Sequence, residues 1–183
     1  PYAGNEIPLY DVNGFWYTGY VSTTQACPVT QTVSCTTTNN STTLTTVATD
    51  FTATVIPGMA VSGTGISGGT TVVSIQSASS LTLSAVATTS ATNALTFKIP
   101  AGKNVDLFLV DNTSGVGLTA QFGAIWTNDT TRANALTADN FGVYRTANQS
   151  DLQGTRTSYG TYLGTIRTTG TAGQTQDDLS KRF

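Results

Sequence analysis

The stretch Val105-Asp-Leu-Phe-Leu-Val110 has the strongest strand pattern in the chain and decides its fold class. Its apolar residues include β-branched and aromatic types, which favour strands. Asp111-Asn112-Thr-Ser-Gly115 follows and has the residue types that form turns. Leu118-Thr-Ala-Gln-Phe-Gly-Ala-Ile-Trp126 then predicts a second strand that pairs with the first. The sequence therefore indicates a β-structure at this point of the chain.

The same pattern of short strands and turns extends in both directions. Strands of about five residues with turns every 8–12 residues are typical of small sandwiches and barrels. The fold class we predict is all-β, built from small β-sandwich or barrel modules. The further strands that we predict lie at residues 7–10, 15–17, 51–56, 71–75, 81–85, 94–97 and 159–168. The tail, residues 175–183, is compatible with one helical turn.

Composition divides the chain of 183 residues into three zones. Residues 1–22 are rich in aromatic side chains. Residues 23–97 are rich in Thr and Ser and carry one charged residue, Asp50. Residues 98–183 regain charge. We predict two domains: residues 1–22 and 98–183 form one discontinuous β domain, into which a Thr/Ser-rich, β-sandwich-like domain of residues 23–97 is inserted. Within it, residues 36–46 are expected to be a loop or a strand exposed on both faces.

Charge and residue usage exclude several classes of function. The chain has no His, so the Ser-His-Asp and Cys-His types of catalytic site cannot form. A net charge of −2 without a basic cluster lacks the electrostatic pattern of nucleic-acid binding. The sequence has no apolar run long enough to span a membrane. We therefore predict no enzyme activity, no cofactor, no metal site, no nucleic-acid partner and no membrane insertion.

Three motifs with possible chemistry have a structural explanation that we prefer. Gly63-Thr-Gly65-Ile-Ser-Gly68 matches a dinucleotide fingerprint, but a strand pattern follows it where a helix is required. Ser67 lies in a match to the nucleophile-elbow motif, but no His is present to serve it. A carboxylate pair could serve a glycosidase. However, Asp111 and Asp139 adjoin turn residues, and Asp106 is expected on the solvent face of its strand.

Cys27 and Cys35 are the only two cysteines. Two thiols do not make a structural zinc site. We favour a disulfide that closes the short loop between them, worth about 2.5 kcal/mol in the chain-entropy model. The alternative is a pair of free thiols on a surface loop.

Aromatic residues cluster near the start of the chain, around the hairpin signal Asn13-Gly14. They could form a platform for a sugar ring, or they could fill a small core or a subunit interface, where such side chains are enriched. The candidate glycan or subunit contacts are Tyr10, Trp16, Tyr17 and Tyr20.

Five segments together resemble a family of tailed-bacteriophage virion proteins. They lie in the first and third zones and follow the same order as in that family. The segments are Pro1-Tyr-Ala-Gly-Asn5-Glu-Ile-Pro-Leu-Tyr10-Asp11, Gly102-Lys-Asn-Val-Asp-Leu-Phe108, Ala124-Ile-Trp126-Thr-Asn-Asp-Thr-Thr-Arg132-Ala-Asn-Ala-Leu136, Tyr162-Leu-Gly-Thr-Ile-Arg167-Thr-Thr-Gly170 and Gln174-Thr-Gln-Asp-Asp-Leu-Ser-Lys181-Arg182-Phe183. The second zone resembles a different module of phage surface proteins, and in this family it stands where a short hairpin is usual.

The resemblance implies a structural component of the virion, a fibre-like or decorating appendage on the tail or the capsid. It brings no catalytic residues with it. We expect a homotrimer, because small β modules with thin cores are often stabilised by closed assembly. Other virion proteins of the capsid or tail and a host surface glycan are the further expected partners. A lectin-like glycan-binding module is the alternative, and a carbohydrate depolymerase is the least favoured. The segments at both ends of the chain suggest that it is one piece of a longer polypeptide.

Overall fold

A computed structural model describes residues 6–10, 16–20, 30–47, 49–111, 118–138, 140, 142–147, 160–172 and 175–176. The all-β prediction is confirmed: these residues form fourteen strands and one four-residue helix. The strands are β1 Glu6–Tyr10, β2 Trp16–Tyr20, β3 Thr30–Thr37, β4 Thr43–Thr45, β5 Ala60–Ser62, β6 Val72–Ser77, β7 Ser80–Leu83, β8 Ala91–Lys98, β9 Asn104–Asp111, β10 Leu118–Ile125, β11 Leu136–Ala138, β12 Tyr144–Thr146, β13 Thr161–Thr168 and β14 Thr175–Gln176; the helix α1 is Phe51–Thr54.

Strands β3 to β8 form a six-stranded antiparallel sheet in the order β5-β8-β3-β4-β7-β6. The two outer strands of this order meet through a bridge between Ala60 and Thr71. The amide of Val61 donates to the carbonyl of Thr70 at 2.8 Å, and the amide of Val72 donates to the carbonyl of Met59 at 2.9 Å. The sheet therefore closes on itself, and we call this unit the barrel. Closure pairs the edge groups that an open sheet leaves exposed.

Alternation along the strands separates the barrel core from its outer surface. In β3, Val33, Cys35 and Thr37 are buried while the residues between them are exposed. Leu44 at the centre of β4 is fully buried. The expectation of a loop in residues 36–46 holds for residues 38–42, which connect β3 to β4. It is wrong for the strand residues on either side, because alternate residues there point into the core as in any half-buried strand. Threonine occurs on both faces, and this hides the alternation in the sequence.

The predicted strand at residues 51–56 is instead the short helix α1. Asp50 caps it: one carboxylate oxygen, Oδ1, accepts from the amide of Thr52 at 2.8 Å and from its hydroxyl at 2.6 Å. The hydroxyl of Thr54 donates to the carbonyl of Asp50 at 2.8 Å. A capping side chain satisfies amides that a helix start leaves unpaired. Local capping therefore overrides the β-branched composition of this stretch.

Strands β9 to β14 form the second sheet, in the order β10-β9-β13-β12-β11, with β14 paired to the other end of β13. The predicted pairing of residues 105–110 with 118–126 is confirmed, since Asp111 to Val105 face Leu118 to Ile125 across an antiparallel ladder. β13 lies on the other side of β9, and the register shifts between Tyr162 and Gly164. This bulge brings an exposed residue, Leu163, to the surface.

Both faces of β9 are buried, which explains its nearly continuous apolar sequence. Val105 and Leu107 pack into the large core that also contains the barrel residues. Phe108 and Val110 form a second, smaller core with Leu136 and Tyr162. One face of β9 therefore packs into the core that the barrel shares, and the other face packs against Leu136 and Tyr162 of its own sheet.

The barrel and the second sheet share one continuous hydrophobic core. Phe122 and Ile125 of β10 belong to the same buried cluster as Phe97 of the barrel. The amide of Ile125 donates to the carbonyl of Pro57 at 3.1 Å. Gly58 has a φ of +92°, and a Cβ at this position would lie 2.8 Å from the Cβ of Ile125. Close contact at this junction therefore requires glycine. Along the chain, the barrel ends and the second sheet begins between Lys98 and Asn104. The two sheets nevertheless pack against each other through the shared core.

Candidate functional site

The aromatic candidates lie in the hairpin β1–β2, of which the structure describes the backbone. Tyr10 is the direct partner of Trp16 in this antiparallel ladder, and Tyr20 is the partner of Glu6. The predicted pairing of the two strands is confirmed. The turn at Asn13-Gly14 lies outside the described residues, and the roles in glycan or subunit contact stay predictions.

Cys35 carries a free thiol and is fully buried in β3. The predicted disulfide is thus not formed at Cys35, and the alternative of a thiol on a surface loop is also wrong for this residue. Strand alternation directs the side chain into the barrel core, away from solvent. Burial raises the pKa of the Cys35 thiol to about 12, because the charged thiolate is poorly solvated there. Cys27 lies outside the described residues.

We expect Cys35 to resist thiol reagents in the folded protein. A Cys27→Ser variant isolates this thiol, and iodoacetamide at pH 8 should leave it unmodified until denaturant is added, as read by mass spectrometry. Because the folded pKa lies above the unfolded value, the neutral thiol contributes its full stabilisation below pH 9 and loses it as the pH rises towards 12. Labelling of the native variant at the rate of a free peptide thiol would contradict the burial.

The loop that follows β10 and the strand β13 converge on one carboxylate, that of Asp106 in β9. This residue is 2% exposed, so its predicted place on the solvent face is wrong. Arg132 donates from Nε to Oδ2 at 3.0 Å, and the hydroxyl of Thr165 donates to Oδ1 at 2.5 Å. The hydroxyl of Tyr162 contacts that of Thr165 at 2.7 Å. We call these four residues together with Trp126 the arginine cluster.

Arg132 lies between two aromatic rings and is held there. Its guanidinium carbon is 4.5 Å from the centre of the Trp126 ring and 5.3 Å from that of Tyr162. Nη2 donates to the Tyr162 hydroxyl at 3.2 Å. Burial acts to lower the pKa of Arg132, but the hydrogen bond to Tyr162 and the charge of Asp106 outweigh it, so the pKa rises above its ordinary value. The guanidinium therefore remains charged.

The polar side chains of the arginine cluster are hydrogen-bonded to one another, which is the arrangement of a structural contact. Both carboxylate oxygens of Asp106 accept hydrogen bonds, and the guanidinium is committed to Asp106 and Tyr162. The indole Nε1 of Trp126 is buried and has no hydrogen-bond partner among the residues that the structure describes. Within the part of the chain that the structure describes, no group of three or more acidic or thiol side chains could hold a metal ion. The cluster fixes the segment that follows β10 against the sheet.

A second ion pair lies on the surface of the same sheet. Arg167 donates to both carboxylate oxygens of Asp129, at 3.0 and 3.2 Å, and to Oδ1 of Asn104 at 3.0 Å. The hydrogen bond from Arg167, followed by its charge, lowers the pKa of Asp129. Because both side chains are well exposed, solvent screens this pair strongly.

A groove of about 660 Å³ opens on the barrel beside α1. Its floor lies where β4 pairs with β7, at the partners Thr45 and Ser80. Two backbone hydrogen bonds fix its walls: the amide of Thr46 donates to Ser79 at 3.0 Å, and the amide of Phe51 donates to Ala78 at 2.8 Å. Sequence reasoning missed both the groove and the arginine cluster. The isolated charge at Asp50 was the only signal in the sequence that pointed to the groove.

A scan against protein-family models found no match, and searches of curated proteins and of solved structures found none either. Among the described residues, no helix is long and apolar enough to cross a membrane.

Proposed function

We propose that this chain is a structural component of a bacteriophage virion, a fibre-like or decorating appendage on the tail or the capsid that contributes to host adsorption. One observation carries the proposal. Asp106, Arg132 and Tyr162 come from three different segments that resemble the virion family, and they contact one another in the arginine cluster. Three segments that each resemble the same family and also contact one another in the structure support the view that they form one folding unit. A chance likeness gives no reason for such contacts.

The chemistry of the molecule agrees with a role in shape and contact. The buried charge is paired, and the outer surface of the barrel carries hydroxyl groups in place of charges. Threonines on neighbouring strands form rows across the sheet: Thr36 is the register partner of Thr92 on β8 and of Thr45 on β4. The hydroxyls of Thr36 and Thr92 lie 3.0 Å apart. A neutral surface depends little on screened ion pairs, so its properties change little with salt.

The proposal includes the assembly state and the location. We propose that the chain works in the virion as a homotrimer, attached to other capsid or tail proteins. Closed cyclic assembly would cover additional apolar surface of these small modules. Exposed apolar residues such as Tyr144 and Leu163 lie on strands of the second sheet, where such contacts would cover them.

Glycan binding by the aromatic hairpin is the second candidate function. The observation that favours it is the ladder of β1 and β2, which pairs Tyr10 directly with Trp16. An aromatic ring can stack on the apolar face of a sugar ring. A Trp16→Ala variant that loses binding on a glycan array, while remaining folded, would support this candidate.

The experiment for the main proposal is to locate the chain on particles. Antibodies raised against the folded chain should label purified virions of the phage that encodes it in immunogold electron microscopy. Native mass spectrometry of the isolated chain should give a mass of three copies. Absence from purified virions by both labelling and peptide mass spectrometry, or a gene that lies outside any phage or prophage, would refute the proposal.

A further inference from the structure

The groove beside α1 combines three features that are independent of one another. It lies next to Asp50, the only charged residue between Thr23 and Phe97. It is bordered by Val47, whose side chain is completely exposed although apolar. Its walls are fixed to each other by backbone hydrogen bonds and do not depend on side-chain contacts. The groove is shallow and open to solvent, and it places one charge and one exposed apolar side chain beside each other.

Asp50 has one carboxylate oxygen committed and one available. Oδ1 caps α1 by accepting from the amide and the hydroxyl of Thr52. Oδ2 makes no hydrogen bond to any residue that the structure describes, and neither do the hydroxyls of Thr49 and Ser80, which also line the groove. The helix cap therefore holds the carboxylate in a constant orientation, and Asp50, Thr49 and Ser80 line the groove together.

We infer that this groove is a binding subsite for a neutral saccharide. A sugar ring offers hydroxyl donors, and an ionised carboxylate is the strongest acceptor for them that the barrel contains. The same ring has an apolar C–H face, which fits against Val47 and Ala78. A single carboxylate in a neutral barrel gives no reason for binding an anion. The inference rests on the proposed function, in which the appendage contacts the host surface.

The test uses the full chain on an array of neutral oligosaccharides built from glucose, galactose, mannose and N-acetylhexosamines, followed by titration calorimetry with the best binder. Asp50→Asn is the decisive variant. Asparagine caps helices as well as aspartate, so α1 and the fold are kept, while the charged acceptor is lost. We expect the affinity to fall about tenfold or more, because hydrogen bonds to charged groups are the strong ones.

Two matched valine variants test the apolar side of the groove. Val47→Ser removes an exposed side chain in the groove, and Val73→Ser removes an exposed side chain on β6 that does not line it. We expect weaker binding in the first and unchanged binding in the second, with circular dichroism showing that both are folded.

The outcomes separate this inference from the proposed function. No binding to any arrayed saccharide, or equal affinity for wild type and Asp50→Asn, would overturn the saccharide subsite while leaving the virion role intact. Loss of binding in Trp16→Ala but not in Asp50→Asn would also overturn it and would assign the sugar to the hairpin. Binding that depends on Asp50 in a chain that is absent from virions would support the subsite and refute the virion role.

Discussion

Replacing Phe97 with alanine is expected to destabilise the protein by about 4 kcal/mol, because truncating a fully buried phenylalanine leaves a cavity that the core cannot close. Phe97 is fully buried in β8 and packs edge-on against Phe51, with ring centres 6.1 Å apart. It belongs to the core that the barrel shares with Val105 and Ile125 of the second sheet. The loss should therefore weaken both sheets and not the barrel alone.

Urea denaturation followed by two probes measures this effect. Far-UV circular dichroism reports on all strands. In a Trp16→Phe background, the fluorescence of Trp126 reports on the second sheet, since the chain has two tryptophans. We expect both probes to give one coincident transition, shifted to lower urea in Phe97→Ala. Thr32→Ala, an exposed position on β3, should change little. A shifted dichroism transition with an unshifted Trp126 transition would show that the sheets unfold separately.

The parts of the fold that the sequence predicts are those with a strong local pattern. β9 and β10 are apolar and bounded by turn residues, and their pairing follows from chain proximity. The strand β3 has no such pattern, because Thr and Ser occur at both exposed and buried positions, as with Thr36 and Thr37. α1 depends on one capping carboxylate. Closure of the barrel depends on backbone contacts around Ala60 and Thr71, which composition does not specify.

The arginine cluster could not be predicted because its contacts join distant parts of the chain. Arg132 lies 26 positions from Asp106 and 30 from Tyr162, and Thr165 lies 59 positions from Asp106. A lone Asp in a strand is most often a surface residue, so the sequence favours exposure. The loop that follows β10 and the strand β13 together cover this carboxylate, through Arg132 and Thr165. The resemblance to virion proteins marked these segments as important without indicating that they meet.

Replacing Arg132 with methionine is expected to destabilise the protein by about 3 kcal/mol. The variant keeps most of the side-chain volume but leaves the buried carboxylate of Asp106 without its counter-charge, and an unpaired buried charge is strongly unfavourable. It also removes the contacts of the guanidinium with the Trp126 and Tyr162 rings. We place the effect at the lower end of the range for buried pairs because 35% of the Arg132 side chain is exposed, so solvent already screens part of the interaction.

A second variant separates the cost of an unpaired charge from the loss of the pair. In Asp106→Leu combined with Arg132→Met no charge remains buried, and the hydroxyls of Tyr162 and Thr165 still hydrogen-bond to each other. The double variant should therefore recover part of the stability lost in Arg132→Met, as measured by urea denaturation. Arg167→Met, in the exposed pair with Asp129, is the control and should show no measurable change. If Arg132→Met proved as neutral as this control, the carboxylate of Asp106 would be solvated and the cluster would not hold the loop to the sheet.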